Sequence, residues 1–136
     1  MGKPDEFSPE WNDWVMSLFT EDELVYNKDV DEKLPRAIGL RRVSQFVHGA
    51  IKRSGPVELV IRDRDEKTTI TYEVEFDNGR VFGDVAECWA ENTPVTFMGH
   101  PAATACTRAE SRVLKKALGL KGLTAEEMTH EQKEVQ

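Results

Sequence analysis

The sequence predicts an α+β fold: a helix, a three-stranded antiparallel meander and a second helix in two layers, preceded by a short helical N-terminal arm. Three observations carry this prediction. Residues 68–76 alternate between polar and apolar, as expected for a strand with one buried face. Asn78-Gly79 follows and suits the left-handed dihedrals of a two-residue hairpin turn. Apolar residues at helical spacing flank the strands on both sides.

The N-terminal arm is expected to hold a short helix, with Ser8 as its cap and Pro9 at its first position. Its apolar residues follow helical spacing: Trp11, Trp14, Val15, Leu18 and Phe19. Two tryptophans on a short helix must be buried, either in the core of the same domain or against a neighbouring subunit. A capping-box pattern over 20–23 predicts another helical turn that includes Leu24 and Val25.

The first core helix is predicted from Pro35 to Arg53, with Gly55-Pro56 stopping it. Its apolar stripe is Leu40, Val43, Phe46, Val47, Ala50 and Ile51. Strands are expected over 57–62, 68–76 and 81–89, followed by a loop over 90–99. The last helix begins at Pro101, Gly119 caps it and Leu120 packs back against it. The expected domain organisation is an acidic helical arm over 1–33, a core domain over 34–122 and a charged tail over 123–136, with a helical turn at 124–127.

The composition argues against several classes of protein. Cys88 and Cys106 have neither disulfide nor zinc spacing, and the three histidines are scattered, so we expect no metal or cofactor. There is no phosphate-binding loop or nucleophile motif, and Asp84 with Glu87 is better explained as a polar strand face than as a catalytic pair. We therefore expect no enzyme. The sequence contains no signal peptide or bilayer-spanning run, which predicts a cytoplasmic protein with no membrane partner.

Charge is distributed unevenly along the chain. The net charge is -7, yet residues 1–33 hold ten acids and three bases, and residues 122–136 hold four acids and one base. Residues 34–121 are left with a net charge of +3. The acidic ends are either solvated flexible segments or competitors with a polyanion for the basic middle.

The basic residues of the middle segment fall into two groups. The last helix has one face of small residues, which predicts close packing on the sheet: Ala102, Ala105, Cys106, Ala109, Val113 and Ala117. Another face carries bases spaced by four and three, and Arg41-Arg42 lies near the start of the first core helix. Since both helices would cover one sheet face, the two groups could converge on one groove. The predicted DNA-binding residues are Arg41, Arg42, Arg108, Arg112, Lys115 and Lys116.

Three segments resemble, in order, the core of the Rad-fifty-two family of single-strand annealing proteins. Residues 74–86 are similar to its strand, hairpin and strand with an Asp-Val step, and residues 107–118 to its helix ending in Leu-basic-basic-Ala-Leu. Gly39-Leu-Arg-Arg-Val43 is similar to the Gly-x-Arg-Val that opens its preceding helix. The resemblance covers roughly residues 35–122, the size of the core in small phage-type members.

The resemblance implies a protein of homologous recombination or DNA repair that binds single-stranded DNA and anneals complementary strands without ATP. It implies a homo-oligomeric ring, a bacterial or phage-infected cell as its location, and recombination proteins as further partners. Lys115 and Lys116 match the family's paired basic residues, and Arg42, or Arg41 in a shifted register, matches its arginine. Arg108 and Arg112 rest on spacing alone. The family often has another base where this chain has Gly119.

Two other interpretations remain open. A double-stranded-RNA-binding domain has the same order of elements, but it usually carries lysines at the start of its last helix, where this chain has His100-Pro-Ala-Ala-Thr. A non-catalytic interaction protein with no nucleic-acid role would use its acidic ends to bind a partner, and its basic stripe would be ordinary surface. Salt-dependent binding of single-stranded and duplex oligonucleotides would discriminate among the three.

Overall fold

The computed structural model of the protein describes residues 2–62, 67–88 and 101–120. Its helices are α1 (Trp11–Ser17), α2 (Ala37–His48) and α3 (Pro101–Leu118). Its strands are β1 (Leu24–Asn27), β2 (Glu32–Pro35), β3 (Ile51–Arg62), β4 (Lys67–Phe76) and β5 (Val81–Cys88). The predicted α+β class is confirmed. The predicted loop over 90–99, the end of the third strand at Trp89 and the turn in the tail lie outside the described residues.

The predicted meander forms an antiparallel sheet in the order β3-β4-β5. Every second residue of β4, including Ile70, Val74 and Phe76, is buried beneath the helices, as the alternation predicts. The hairpin at Asn78-Gly79 is also confirmed, but its turn is not the predicted two-residue loop. Asn78 does not take a positive φ, the Gly79 amide donates to the carbonyl of Phe76 at 2.9 Å, and Gly79 alone has a left-handed φ, of 88°. These two local signals therefore establish the sheet on which α3 rests.

The boundary between α2 and β3 differs from the prediction. The helix ends at His48 and the strand already begins at Ile51, because Gly49 takes a positive φ of 92° and stops the helix. Gly55-Pro56 lies inside β3, next to a register shift between Pro56 and Glu58. Proline is tolerated there because β3 is an edge strand of the described sheet and the shift marks a bulge.

The predicted apolar stripe of α2 is correct at Leu40 and Val43 but wrong at Phe46. The buried face of the helix runs through Leu40, Val43 and His48. Phe46 lies on another side and is 67% exposed. Helical spacing alone does not decide which of two adjacent rows of apolar residues on the helix faces the core.

The arm helix α1 begins at Trp11, two residues later than predicted, because residues 8–11 form a turn in which the Trp11 amide donates to the Ser8 carbonyl. Trp11 and Trp14 are buried in the core of the same chain. The indole Nε1 of Trp11 donates to the carbonyl of Leu118 at 2.6 Å, which joins α1 to the end of α3. Of the two burial places that the sequence allowed, the structure therefore shows the domain's own core.

The predicted helical turn at Leu24 and Val25 is wrong. The capping box is present, but it closes only a 3-10 turn over Glu21–Glu23, and both residues belong to β1. β1 pairs with β2 in a separate two-stranded antiparallel hairpin. In its turn, Asn27 Oδ1 accepts from the amides of Asp29 and Val30, an arrangement that favours a reversal of the chain.

The last helix, α3, packs across β4 and β5 with its small residues inward, as predicted. Ala105, Ala109 and Ala117 have no exposed surface, so the helix can approach the sheet closely. Gly119 takes a φ of 63°, and the Leu120 amide donates to the carbonyl of Lys115 at 3.1 Å, which is a Schellman motif. The predicted cap and the packing of Leu120 are confirmed.

Candidate nucleic-acid interface

Three of the predicted basic residues form a row of hydrogen bonds along β5. Arg108 donates to the carbonyl of Glu87 at 3.1 Å. Arg112 donates to the carbonyl of Val85 at 2.7 Å. Lys116 donates to the carbonyl of Gly83 at 2.8 Å. We call these three residues the cation row.

The cation row follows from matching two repeats. Residues four apart on a helix are separated by about 6.0 Å along its axis. Residues two apart on an antiparallel strand are separated by about 6.8 Å. α3 runs antiparallel to β5, so residue numbers rise along the helix from 108 to 116 as they fall along the strand from 87 to 83. Each successive basic residue of the row therefore donates to the next carbonyl that points away from the sheet.

Asp84 completes the contacts along this edge of the sheet. Its Oδ1 accepts from the amide of Val85 at 2.7 Å, and its Oδ2 lies 3.6 Å from the Nζ of Lys116. β5 is the last strand of the described sheet, so its outward amides and carbonyls would otherwise be open to another strand. The cation row and Asp84 together satisfy groups along this edge.

The members of the basic stripe differ in how accessible their charge is. Arg108 is buried, with 5% of its surface exposed. Arg112 is exposed, the side chain of Lys116 is 54% exposed, and Lys115 is partly exposed. The β5 carbonyls are neutral, so their bonds to Arg112 and Lys116 do not themselves neutralise these cations. Asp84 offsets part of the charge of Lys116.

Arg41 lies on a different side of α3 from the cation row. It forms an ion pair with Glu110, which also accepts a hydrogen bond from the hydroxyl of Tyr72 at 3.2 Å. Glu110 is two residues from both Arg108 and Arg112, which places it about 160° around the helix from them. The two predicted groups of bases therefore do not share one groove.

Arg42 is held by the N-terminal part of the chain. Its Nε and Nη2 donate to the two carboxylate oxygens of Glu23 at 2.6 and 2.8 Å, and Nη2 also donates to the carbonyl of Leu18 at 2.6 Å. Glu23 is buried, with 8% of its surface exposed. The hydrogen bonds from Arg42, reinforced by those from Thr20, lower the pKa of Glu23 to about 2. The charge of Arg42 is thus paired inside the fold.

Sequence reasoning found the bases but missed their partners. The sequence predicts only a polar strand face at Asp84 and Glu87, whereas Asp84 lies beside Lys116, and Glu87 forms an ion pair with Lys67 at 3.2 Å. The helical period of four in α3 set against the period of two in β5 is a signal that could have predicted the row. It requires knowing that the two elements are adjacent and antiparallel.

Among residues 2–62, 67–88 and 101–120, no group of three histidine, cysteine or acidic side chains is placed to hold a metal ion. No helix in the same part of the chain is long and apolar enough to cross a membrane. Comparisons with protein-family models and with curated proteins find no match.

Proposed function

We propose that this protein binds single-stranded DNA through its phosphates and anneals complementary strands without ATP. The observation that carries the proposal is the cluster of basic side chains that α3 holds at or near the surface. Arg112, Lys115 and Lys116 lie within five residues of one another, and the bonds of Arg112 and Lys116 to β5 are made to neutral carbonyls. Such a ridge attracts a polyanion even though the whole chain carries a net charge of -7.

The contacts that this ridge can make are contacts to phosphate. Arginine and lysine bind phosphate oxygens without reading the bases, so binding is independent of sequence and weakens as salt rises. A strand held by its backbone keeps its bases free to pair with a second strand. Annealing then needs no nucleotide hydrolysis.

The other candidate residues have supporting roles in this proposal. Arg108 is buried and fixes α3 to β5. Arg41 and Arg42 add little attraction for phosphate because each donates two hydrogen bonds to one carboxylate, a closer pairing than the 3.6 Å between Lys116 and Asp84. The proposed phosphate contacts are therefore Arg112, Lys115 and Lys116.

The proposal extends to assembly and location, on the strength of the family resemblance. Copies of the chain would form a homo-oligomeric ring that displays successive α3 ridges to one strand. The protein would act in the cytoplasm of a bacterial or phage-infected cell, beside other recombination proteins. The acidic ends would compete with the strand and speed release of the annealed duplex.

Binding is tested with labelled oligonucleotides in a salt series, using fluorescence anisotropy. The variant Arg112→Gln/Lys116→Gln removes both charges and keeps a neutral hydrogen-bond donor at each position. The slope of log Kobs plotted against log salt concentration should become shallower by about 1.4, because two phosphate contacts are lost. The matched control is Lys28→Gln/Lys33→Gln, which changes the net charge equally in the β1–β2 hairpin and should leave the slope unchanged.

Equal affinity of the first variant and the wild type at low salt would refute the assignment of the site. Preference for duplex RNA over single-stranded DNA would favour the double-stranded-RNA-binding interpretation, and no binding to either would favour a protein-interaction role. A fluorescence annealing assay without ATP tests the second half of the proposal. A protein that binds single strands but leaves the annealing rate at the uncatalysed level is a protective binder.

A further inference from the structure

The two outer edges of the three-stranded sheet, formed by β3 and β5, differ in their contacts. The outer edge of β5 is occupied by the cation row and Asp84. Within residues 2–62, 67–88 and 101–120, no strand pairs with the outer edge of β3, which is twelve residues long. An unpaired strand of this length offers its amides and carbonyls to another chain.

The second half of β3 is the part best suited to pairing. Its first half carries Lys52 and Arg53, and a bulge follows at Pro56, features that discourage an added strand. Beyond the bulge the pairing with β4 is regular from Glu58 onward. Leu59 and Val60 are apolar yet 47% and 39% exposed. This segment would lose exposed apolar surface if another strand joined it.

The segment Glu58-Leu59-Val60-Ile61-Arg62 is complementary to itself. In an antiparallel pair of two copies centred on Val60, Glu58 lies opposite Arg62 of the second copy, and Leu59 lies opposite its Ile61. The same two pairings recur on the other side of the centre. Opposite charges and apolar residues that face each other across strands each stabilise a sheet.

We propose that two copies of this chain associate through β3, antiparallel and about a two-fold axis at Val60, and form one sheet of six strands. The interface is isologous, so it joins chains in pairs. A ring needs a heterologous interface elsewhere on the surface, and β3 pairing would join two chains or two rings. The inference goes beyond the proposed function, because the pairing requires no nucleic acid.

Charge reversal tests this arrangement. Glu58→Arg places an arginine opposite Arg62 at two positions of the interface, and Arg62→Glu places two acids opposite each other. Each single variant should weaken association by about tenfold or more. The double variant Glu58→Arg/Arg62→Glu exchanges the charges and should restore it. Glu32→Arg, a reversal at an exposed position of β2, is the matched control and should leave association unchanged.

The measurement is molar mass by light scattering across a concentration series without nucleic acid, with thermal melts to verify folding. The chain mass is 15.4 kDa, and the wild type should reach an even multiple of it. Each folded single variant should fall to half the wild-type mass at concentrations where the wild type is associated. A monomeric wild type, a mass unaffected by Glu58→Arg, or a double variant that stays dissociated would overturn the proposal. These outcomes are independent of oligonucleotide binding.

Discussion

Replacing Arg42 separates a structural role from a phosphate-binding role. In the wild type its guanidinium donates two hydrogen bonds to the carboxylate of Glu23 and one to the carbonyl of Leu18. Arg42→Ala leaves a carboxylate that is 11% exposed without its cation. Removing one partner of a buried pair costs about 3–5 kcal/mol. Because the side chain of Arg42 is 49% exposed, we take the lower end, about 3 kcal/mol.

This destabilisation is large enough to measure by thermal melting. Unfolding entropy of about 2.1 cal/mol/K per residue gives about 290 cal/mol/K for 136 residues, so a loss of 3 kcal/mol lowers Tm by about 10 °C. Arg36→Ala removes an arginine from the exposed start of the same helix and should change stability by less than about 0.5 kcal/mol. Affinity of the folded Arg42→Ala variant for single-stranded DNA should change little.

The effect of Arg42→Ala should depend on pH with a definite sign. The pKa of Glu23 falls from the ordinary 4.5 to about 2 in the folded protein. A lowered carboxyl pKa contributes stability above the unfolded pKa and loses it as pH falls toward the folded value. The difference in unfolding free energy between wild type and variant should therefore be full above about pH 5 and shrink between pH 4.5 and 2. A constant difference across this range, or a Tm within 2 °C of wild type at pH 7, would refute the reasoning.

Two further predictions concern the contact between the N-terminal segment and the end of α3. Trp11→Phe keeps an apolar ring but leaves the carbonyl of Leu118 without its donor, so it should cost about 1–3 kcal/mol in urea unfolding, and an unchanged midpoint would contradict it. Gly119→Ala adds a Cβ atom to a residue whose backbone has a left-handed conformation, and this atom collides with the ring of Phe7. It should lower stability by at least about 1 kcal/mol, and the Phe7→Ala background should relieve only the steric part.

The structure restricts which residue can follow the last turn of α3, where this chain has Gly119. Here that position must satisfy two conditions, since it has a φ of 63° and lies against the ring of Phe7. The second condition arises from a residue far away in sequence, so no motif at the helix end predicts it.

Much of the fold was predictable because its signals are local. The alternation over 68–76, the Asn78-Gly79 turn and the small-residue face of α3 each reflect a period or a turn within a few residues. The errors arose where local signals competed. Gly55-Pro56 is a helix stop in isolation, but an edge strand with a bulge accommodates it equally well.

The sequence by itself determined the sheet, the helix that covers it and the presence of six bases on the two helices. Only the tertiary structure decided which partners these bases take and which of them are exposed. Arg42 pairs with Glu23, which is 19 residues away in the sequence, and Arg41 pairs with Glu110, which is 69 residues away. Arg112 donates to the carbonyl of Val85, which is 27 residues away. Such partners are set by the packing of distant segments, which no local pattern in the sequence encodes.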